Sequence, residues 1–200
     1  MGGVIDTAAV PGRVSWRERR AQRHRLKRLD TLASRMGELY AIHDLLARSE
    51  RVVRRGWIQG AWFSVDTPQG DRDVTGFNLR LVRDHAVNGA CLVGAIVHAA
   101  GGPRVVRSQL VQRTLDITWY ALREDGDVPG GWCPSPVVRQ MRLQDLTRWN
   151  DDRERTSAEV VGLLARAQEL AEDQRQRAMR EHRELAAGDA GVADQDRVTV

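Results

Sequence analysis

The chain has 200 residues, of which 42% are apolar and 29% are charged. This length and composition predict one domain of about 100–150 residues with tails. The first 14 residues lack the apolar core of a signal peptide, and the longest apolar run (90–100) is too short to span a bilayer. Two cysteines, Cys91 and Cys133, exclude a disulfide-rich secreted scaffold. We therefore expect a cytoplasmic protein with no membrane partner.

Positive charge is concentrated at the front of the chain. Of 31 basic and 27 acidic residues, 13 basic and 6 acidic lie in positions 1–60, which leaves 18 and 21 for the rest. All the basic residues except Lys27 are Arg. Two interpretations of this preference for Arg are open. One is codon bias in a GC-rich genome, and the other is phosphate binding by the planar guanidinium group.

A long helix is predicted first. Ser15 and Glu18 form a capping box that starts it at residue 16, and Gly56 is expected to end it in a left-handed cap. Because a helix over 16–55 would be unusually long, we predict a break near Asp30 or Gly37. Its apolar stripe consists of Leu29, Leu32, Met36, Leu39, His43 and Leu46.

The middle of the chain mixes strand and helix signals. Residues 57–65 are aromatic and β-branched, which favours a short strand, and TPQGD (67–71) is a turn signal. A second strand is indicated by Val74, Phe77, Leu79 and Leu81. Asn88 is then expected to cap a buried helix that ends before Gly101.

Three more helices are predicted, over 104–123, over 137–149 and from a second capping box, Thr156 with Glu159. Beyond residue 172 the apolar stripe thins, and pairs such as Arg177–Glu181 predict a solvated helix.

The predicted fold class is therefore mainly α, a compact bundle of about four to five helices with a small strand-like or hairpin element near 57–81. Residues 1–28 are expected to form a disordered or basic helical arm. Residues 29–172 are the helical core domain, and residues 173–200 a charged helical extension and disordered tail.

Candidate catalytic and metal sites are weak. Cys91 lies near a predicted helix N-terminus, where the helix dipole lowers a thiol pKa, although a buried apolar Cys is the favoured interpretation. His85, Cys91, His98 and Cys133 lack the close spacing of a zinc site, so no metal and no cofactor are expected.

The carboxylates at Asp151, Asp152 and Glu154 are interpreted as a helix-entry turn rather than a calcium loop.

The basic arm is the strongest lead toward a function. As a helix it would carry positive charge all around, which suits a phosphate backbone. A solvated nonspecific tail and a helix that binds a partner protein are the alternatives. The candidate polyanion-binding residues are Arg13, Arg17, Arg19, Arg20, Arg23, Arg25, Lys27 and Arg28.

Three segments carry a likeness to known sequences: RRGWIQGAW (54–62), CLVGAIVHAAGG (91–102) and WNDDRERTSAEVVGLLARA (149–167). Through them the chain from about 39 to 170 resembles an uncharacterised family of small actinobacterial proteins, which implies no activity. The likeness singles out Trp57, Gly60, Cys91, Trp149, Asn150, Asp151, Thr156 and Glu159. We expect the W-N-D turn to dock against the Gly-Trp corner, with the Trp N–H and the Asn amide satisfying backbone groups.

A non-enzymatic binding module is therefore the preferred hypothesis, with the arm contacting nucleic acid or another polyanion, or an acidic protein partner. The alternatives are a small Cys-dependent enzyme using Cys91 and an assembly protein that dimerises through its charged C-terminal helix.

Overall fold

The computed structural model describes residues 15–75, 79–123 and 135–187. Within them lie five helices of eight or more residues, a one-turn helix and a three-stranded sheet, so the mainly α prediction is confirmed. In chain order the elements are α1 (Trp16–Arg55), β1 (Phe63–Thr67), β2 (Gly70–Val74), α2 (Leu81–Asp84), β3 (Ala86–Ala90), α3 (Leu92–Ala99), a 3-10 turn (Pro103–Val105), α4 (Gln109–Leu122), α5 (Pro136–Asn150) and α6 (Ser157–Ala187). The predictions for residues 1–14, Phe77, most of loop 125–136, Cys133 and the tail from 188 concern positions outside this description.

Helix α1 begins as predicted and is continuous. The Ser15 hydroxyl accepts from the Glu18 N–H at 3.2 Å, and the Glu18 carboxylate accepts from the Ser15 N–H at 2.6 Å. The predicted break near Asp30 or Gly37 is wrong. A single glycine destabilises a helix by only about 1 kcal/mol. Helix α6 also packs against α1 both before and after Gly37, which keeps the helix continuous.

Helices α1 and α6 form an antiparallel coiled coil. Arg25 contacts Leu185 and Arg35 contacts Gln174, so the residue numbers rise on one helix as they fall on the other. The residues buried at seven-residue intervals are Leu32, Leu39, Leu46 and Val53 on α1, and Leu164, Ala171 and Ala178 on α6. A seven-residue repeat of buried positions is the signature of supercoiled helices.

The far end of this coiled coil contains the segment predicted to be solvated. Residues 174 and 178 of α6 are buried there against the front half of α1. Glu181, expected to pair with Arg177 on its own helix, pairs with Arg28 of α1. The sequence pattern did not indicate this packing, because the α6 residues buried against α1 here are alanines and one Gln and not large apolar residues.

The sheet has the order β2-β1-β3, and all of its pairs are antiparallel. The strand predicted at 57–65 is only partly correct, since β1 runs from 63 to 67, and the hairpin turn lies within the predicted 67–71. Of the residues predicted to form a second strand, Val74 ends β2, whereas Leu79 lies in a turn and Leu81 begins α2. The prediction for Asn88 is wrong, since it lies inside β3, and Cys91 caps α3 instead. Residues 86–90 contain one β-branched side chain, so pairing with β1 rather than local propensity makes them a strand.

Gly56 ends α1 in an extended conformation, with φ −173° and ψ 103°, so the predicted left-handed cap is wrong. A glycine is needed here because the backbone of β3 leaves no room for a side chain. A Cβ at Gly56 would lie 2.1 Å from the carbonyl oxygen of Asn88. The close approach lets the Ala90 N–H donate to the Gly56 carbonyl at 2.8 Å, which joins the end of α1 to β3.

Helix α3 is the centre of the core. Residues 92–97 are all buried, and α3 contacts α1, α4 and α5. None of the described helices combines the length with the apolar character that crossing a membrane requires.

Candidate functional site

The arm, residues 16–28 of α1, divides its cations between two environments. The Arg25 side chain donates through Nε to the Leu185 carbonyl at 2.9 Å and also reaches the carbonyl of Ala186, so it caps the C-terminus of α6. Arg28 forms an ion pair with Glu181. These two of the predicted polyanion-binding residues therefore contact α6, although the side chain of Arg28 stays 61% exposed.

A second group of arm residues faces away from α6. Trp16, Arg20, Arg23, His24 and Lys27 line a groove of about 300 Å³, which we call the arm groove. Their spacing of 4, 3, 1 and 3 residues places them along one face of the helix. The Trp16 side chain is 61% exposed, and the guanidinium of Arg20 lies 5.5 Å from its ring centroid.

The remaining predicted cations of the arm are not part of the arm groove. Arg17 and Arg19 are exposed but do not line the groove. Arg13 lies outside the described residues. Within the described part of the arm, cations therefore lie on several faces of the helix, and one of these faces also presents an exposed indole.

The expected docking of the W-N-D turn against the Gly-Trp corner is present, and the Asn150 amide contacts backbone groups as predicted. The Trp57 N–H, however, donates to the Asn150 side chain and not to a backbone group. Asn150 is fully buried, and its Oδ1 accepts from the indole N–H of Trp57 at 2.9 Å and the backbone N–H of Leu92 at 3.0 Å. Its Nδ2 donates to the Ile58 carbonyl at 3.2 Å and to Asp151 Oδ1 at 2.8 Å. All four hydrogen-bonding positions of the amide are used.

Neighbouring residues extend this contact. Asp151 Oδ1 accepts from the Gly60 N–H at 3.0 Å, and Gly60 itself has a φ of 76°, which favours glycine. The Gln59 side chain donates to the carbonyls of Asn150 and Asp152, at 3.0 and 2.6 Å. Residues 57–60 and 150–152 thus form one continuous hydrogen-bonded unit.

The start of α6 is tied to the same turn. The predicted capping box is present, with the Glu159 N–H donating to Thr156 Oγ1 at 3.3 Å and the Thr156 N–H donating to Glu159 at 2.8 Å. The N–H and the hydroxyl of Thr156 both donate to the Glu159 carboxylate, and they lower its pKa below 4.5. Arg155 lies 4.1 Å above the Trp149 ring and donates to its carbonyl. The Asp151–Glu154 segment is therefore a helix-entry turn, as interpreted from the sequence.

Cys91 is a buried cysteine, as the favoured interpretation of the sequence had it, and not an activated thiol. It is 2% exposed, and its sulfur accepts from the Gly94 N–H at 3.3 Å as the N-cap of α3. Burial raises its pKa to about 12, so the predicted lowering of the pKa is wrong. Desolvation is the largest effect and the negative charge of Asp151 adds to it, so the backbone N–H groups of Gly94 and Val93 offset it only in part. The hypothesis of a Cys91 nucleophile is therefore dropped.

A buried charged cluster between α4 and α5 was missed by the sequence analysis. Arg142 Nη1 donates to Asp116 at 2.8 Å and Nη2 donates to the Tyr120 hydroxyl at 3.0 Å. The guanidinium of Arg142 also lies 4.6 Å from the ring centroid of Trp119. The ion pair between Asp116 and Arg142 joins α4 to α5 across 26 residues of sequence. Nothing in the local sequence around either residue distinguishes it from a surface residue.

The histidines considered as metal ligands lie apart from one another. His98, on α3, contacts the Phe63 ring edge-on, with centroids 6.4 Å apart, and His85 directly follows α2. Burial lowers the pKa of His98 below 6.5, and nearby Arg55 lowers it further. In the three described stretches, no three His, Cys, Asp or Glu side chains converge on a position where a metal ion would fit.

Comparison with known proteins bears on the region that contains the docked turn. The profile of a family of unknown function (DUF6197) matches residues 36–170. The chain belongs to this family. The matched region covers α3, α4, α5 and the Trp57–Asn150 contact, whereas the arm lies before it and the end of α6 after it. Neither the curated proteins nor the solved structures contain a match to the chain.

Proposed function

We propose that this protein is a binding module that contacts nucleic acid through the arm groove. The observation that supports it is the sorting of the arm residues, with Arg25 and Arg28 used within the fold while Arg20, Arg23 and Lys27 surround an exposed Trp16. An aromatic ring beside guanidinium groups suits a strand with exposed bases, because the ring stacks on a base and the cations neutralise phosphates.

Single-stranded nucleic acid fits this groove better than a duplex. An indole can stack on a base only where that base is free of its neighbours, and such stacking contributes about 1–3 kcal/mol per base. Three cations that each neutralise one phosphate would give a logarithmic salt slope of about −2 on a single strand.

The test is fluorescence anisotropy with a labelled single-stranded oligonucleotide across a salt series. We expect Trp16→Ala to weaken binding by about 1–3 kcal/mol at every salt concentration. The combined change of Arg20, Arg23 and Lys27 to Gln should weaken binding and reduce the magnitude of the salt slope by about 2.

A matched control removes three charges elsewhere. Arg148, Arg153 and Arg166 are exposed and lie on α5, the turn and α6, so their change to Gln alters the net charge equally but leaves the arm intact. Equal weakening by the two triple variants would overturn the assignment of the site. Binding to polyglutamate without binding to oligonucleotide would overturn the nucleic-acid proposal in favour of an acidic protein partner.

A further inference from the structure

The coiled coil carries a second apolar stripe that its own two helices do not need. On α1 it consists of Leu26, Leu29, Ala33, Met36, Tyr40 and His43, at alternating spacings of three and four residues. Leu26 is 54% exposed and Tyr40 is 66% exposed, whereas the residues of the seam toward α6 are buried. A sustained 3–4 alternation of apolar residues is the pattern by which a helix packs on another helix.

The remaining side of the same coiled coil is already covered. Glu38 accepts from Gln109 at 3.0 Å and forms an ion pair with Arg113, so α4 lies against the α1 side that contains Glu38. The stripe faces away from α4. Beside it on α6 are Gln168, Glu172, Arg175, Met179 and His182, since Gln168 donates to Glu50 across the two helices on this side. We call the combined α1 and α6 surface the outer face.

Charge along the coiled coil is segregated by position. Its outer half, residues 16–30 and 174–187, has eleven basic and four acidic residues and a net charge of +7. Its inner half, residues 31–55 and 157–173, has six basic and seven acidic residues and a net charge of −1. Two parallel copies side by side would place their two strongly basic halves together, which is repulsive. Two antiparallel copies would instead bring the basic half of each against the nearly neutral inner half of the other, which contains seven acidic residues.

We infer that the outer face is the site at which a second copy of this chain docks, antiparallel, to form a four-helix bundle. The surface is large enough. From Arg19 to Glu50 the helix is about 47 Å long and two helices are about 20 Å wide, a footprint of about 900 Å². That matches the roughly 800 Å² per partner of an ordinary stable interface.

This pairing leaves the arm groove free. Arg20, Arg23 and Lys27 lie on a different face of α1 from Leu26, Leu29 and Tyr40, so the inference is independent of nucleic-acid binding. A dimer would carry its two arms at opposite ends of the bundle.

The first test is the molar mass of the full chain by sedimentation at high micromolar concentration. We expect a dimer that Leu26→Glu combined with Tyr40→Glu weakens by about 30-fold or more, as for central interface residues. Both side chains are exposed, so the variant should keep its fold, which circular dichroism checks. The control is Val137→Glu with Met141→Glu, two comparably exposed apolar residues on α5. A monomeric parent, or equal effects of the two double variants, would overturn the inference.

The second test is orientation, by electron-electron distance measurement on a chain in which Cys133 is replaced by Ser. A spin label at Ala33→Cys lies near the middle of the outer face, and one at Arg17→Cys lies near its end. An antiparallel dimer predicts a short distance between the two position-33 labels and roughly 50 Å between the two position-17 labels, at 1.5 Å per residue. Short distances at both positions, which indicate a parallel dimer, would overturn the inference.

Discussion

The indole N–H of Trp57 donates to the side-chain oxygen of Asn150 at 2.9 Å, across 93 residues of sequence. The same oxygen receives the backbone N–H of Leu92, the first residue of α3. One amide therefore connects the corner after α1, the start of the central helix and the end of α5. Since the four N-terminal N–H groups of a helix lack partners within it, this contact also satisfies one of them for α3.

Replacement of Asn150 by Ala should be among the most destabilising single changes in the chain. It leaves the buried N–H of Leu92 without an acceptor and removes the partners of Trp57 and Ile58, so we expect a loss of about 3–5 kcal/mol in the free energy of unfolding. Urea denaturation measures it. Asp151→Ala is the control, and its half-exposed site predicts a loss of about 1 kcal/mol. A similar loss for both variants would contradict the central role of Asn150.

Two helical glycines should respond to Ala with opposite signs. A Cβ at Gly94 in α3 would lie 1.9 Å from the carbonyl oxygen of Trp62, so Gly94→Ala should destabilise by about 2 kcal/mol. At Gly162 in α6 the nearest atom would be a guanidinium nitrogen of Arg166 at 3.8 Å. Gly162→Ala should therefore stabilise by about 0.5–1 kcal/mol, because Ala restricts the unfolded chain and favours helix. Thermal melting compares the two, and the same sign in both would refute the packing argument.

The stability of the fold should decline in mildly acidic solution through His98. Its pKa in the folded protein is below the usual 6.5 of the unfolded chain. At pH values below about 6.5 the unfolded chain therefore binds more protons than the folded protein, and the free energy of unfolding falls as the pH drops. His98→Gln should flatten the dependence between about pH 7 and about pH 5. Urea titrations at several pH values measure it, and an unchanged slope in the variant would assign the effect to other groups.

Cys91 should react with alkylating agents only when the protein opens. With a pKa of about 12 and 2% exposure, almost none of it is thiolate near neutral pH. In a chain with Cys133 replaced by Ser, modification followed by mass spectrometry should keep pace with unfolding, and addition of urea should accelerate it. Rapid alkylation of the native protein would restore the nucleophile hypothesis rejected above.

Features that depend on neighbours a few residues apart were predictable. Both capping boxes, Ser15 with Glu18 and Thr156 with Glu159, have the predicted hydrogen bonds because the partners are three residues apart and share one helical turn. The family resemblance carried the expectation one step further, to the docking of Asn150 against Trp57.

Features that depend on distant segments were not predictable. Arg25 and Arg20 belong to the same basic run, and only the position of Leu185, 160 residues away, directs Arg25 into the fold and leaves Arg20 in the arm groove. Gly56 is required by the carbonyl of Asn88 rather than by its own dihedral angles. Neither partner is visible in the local pattern.

The sequence by itself determined a mainly helical chain, its two capped helix starts, the basic arm and the segments of the docked turn, because helix periodicity and capping are local properties. The tertiary structure decided the rest. It made residues 86–90 a strand and kept α1 continuous past Gly37 by packing α6 along it. It also sorted the arm cations, since the environment of a side chain on a polar helix depends on which helix lies beside it.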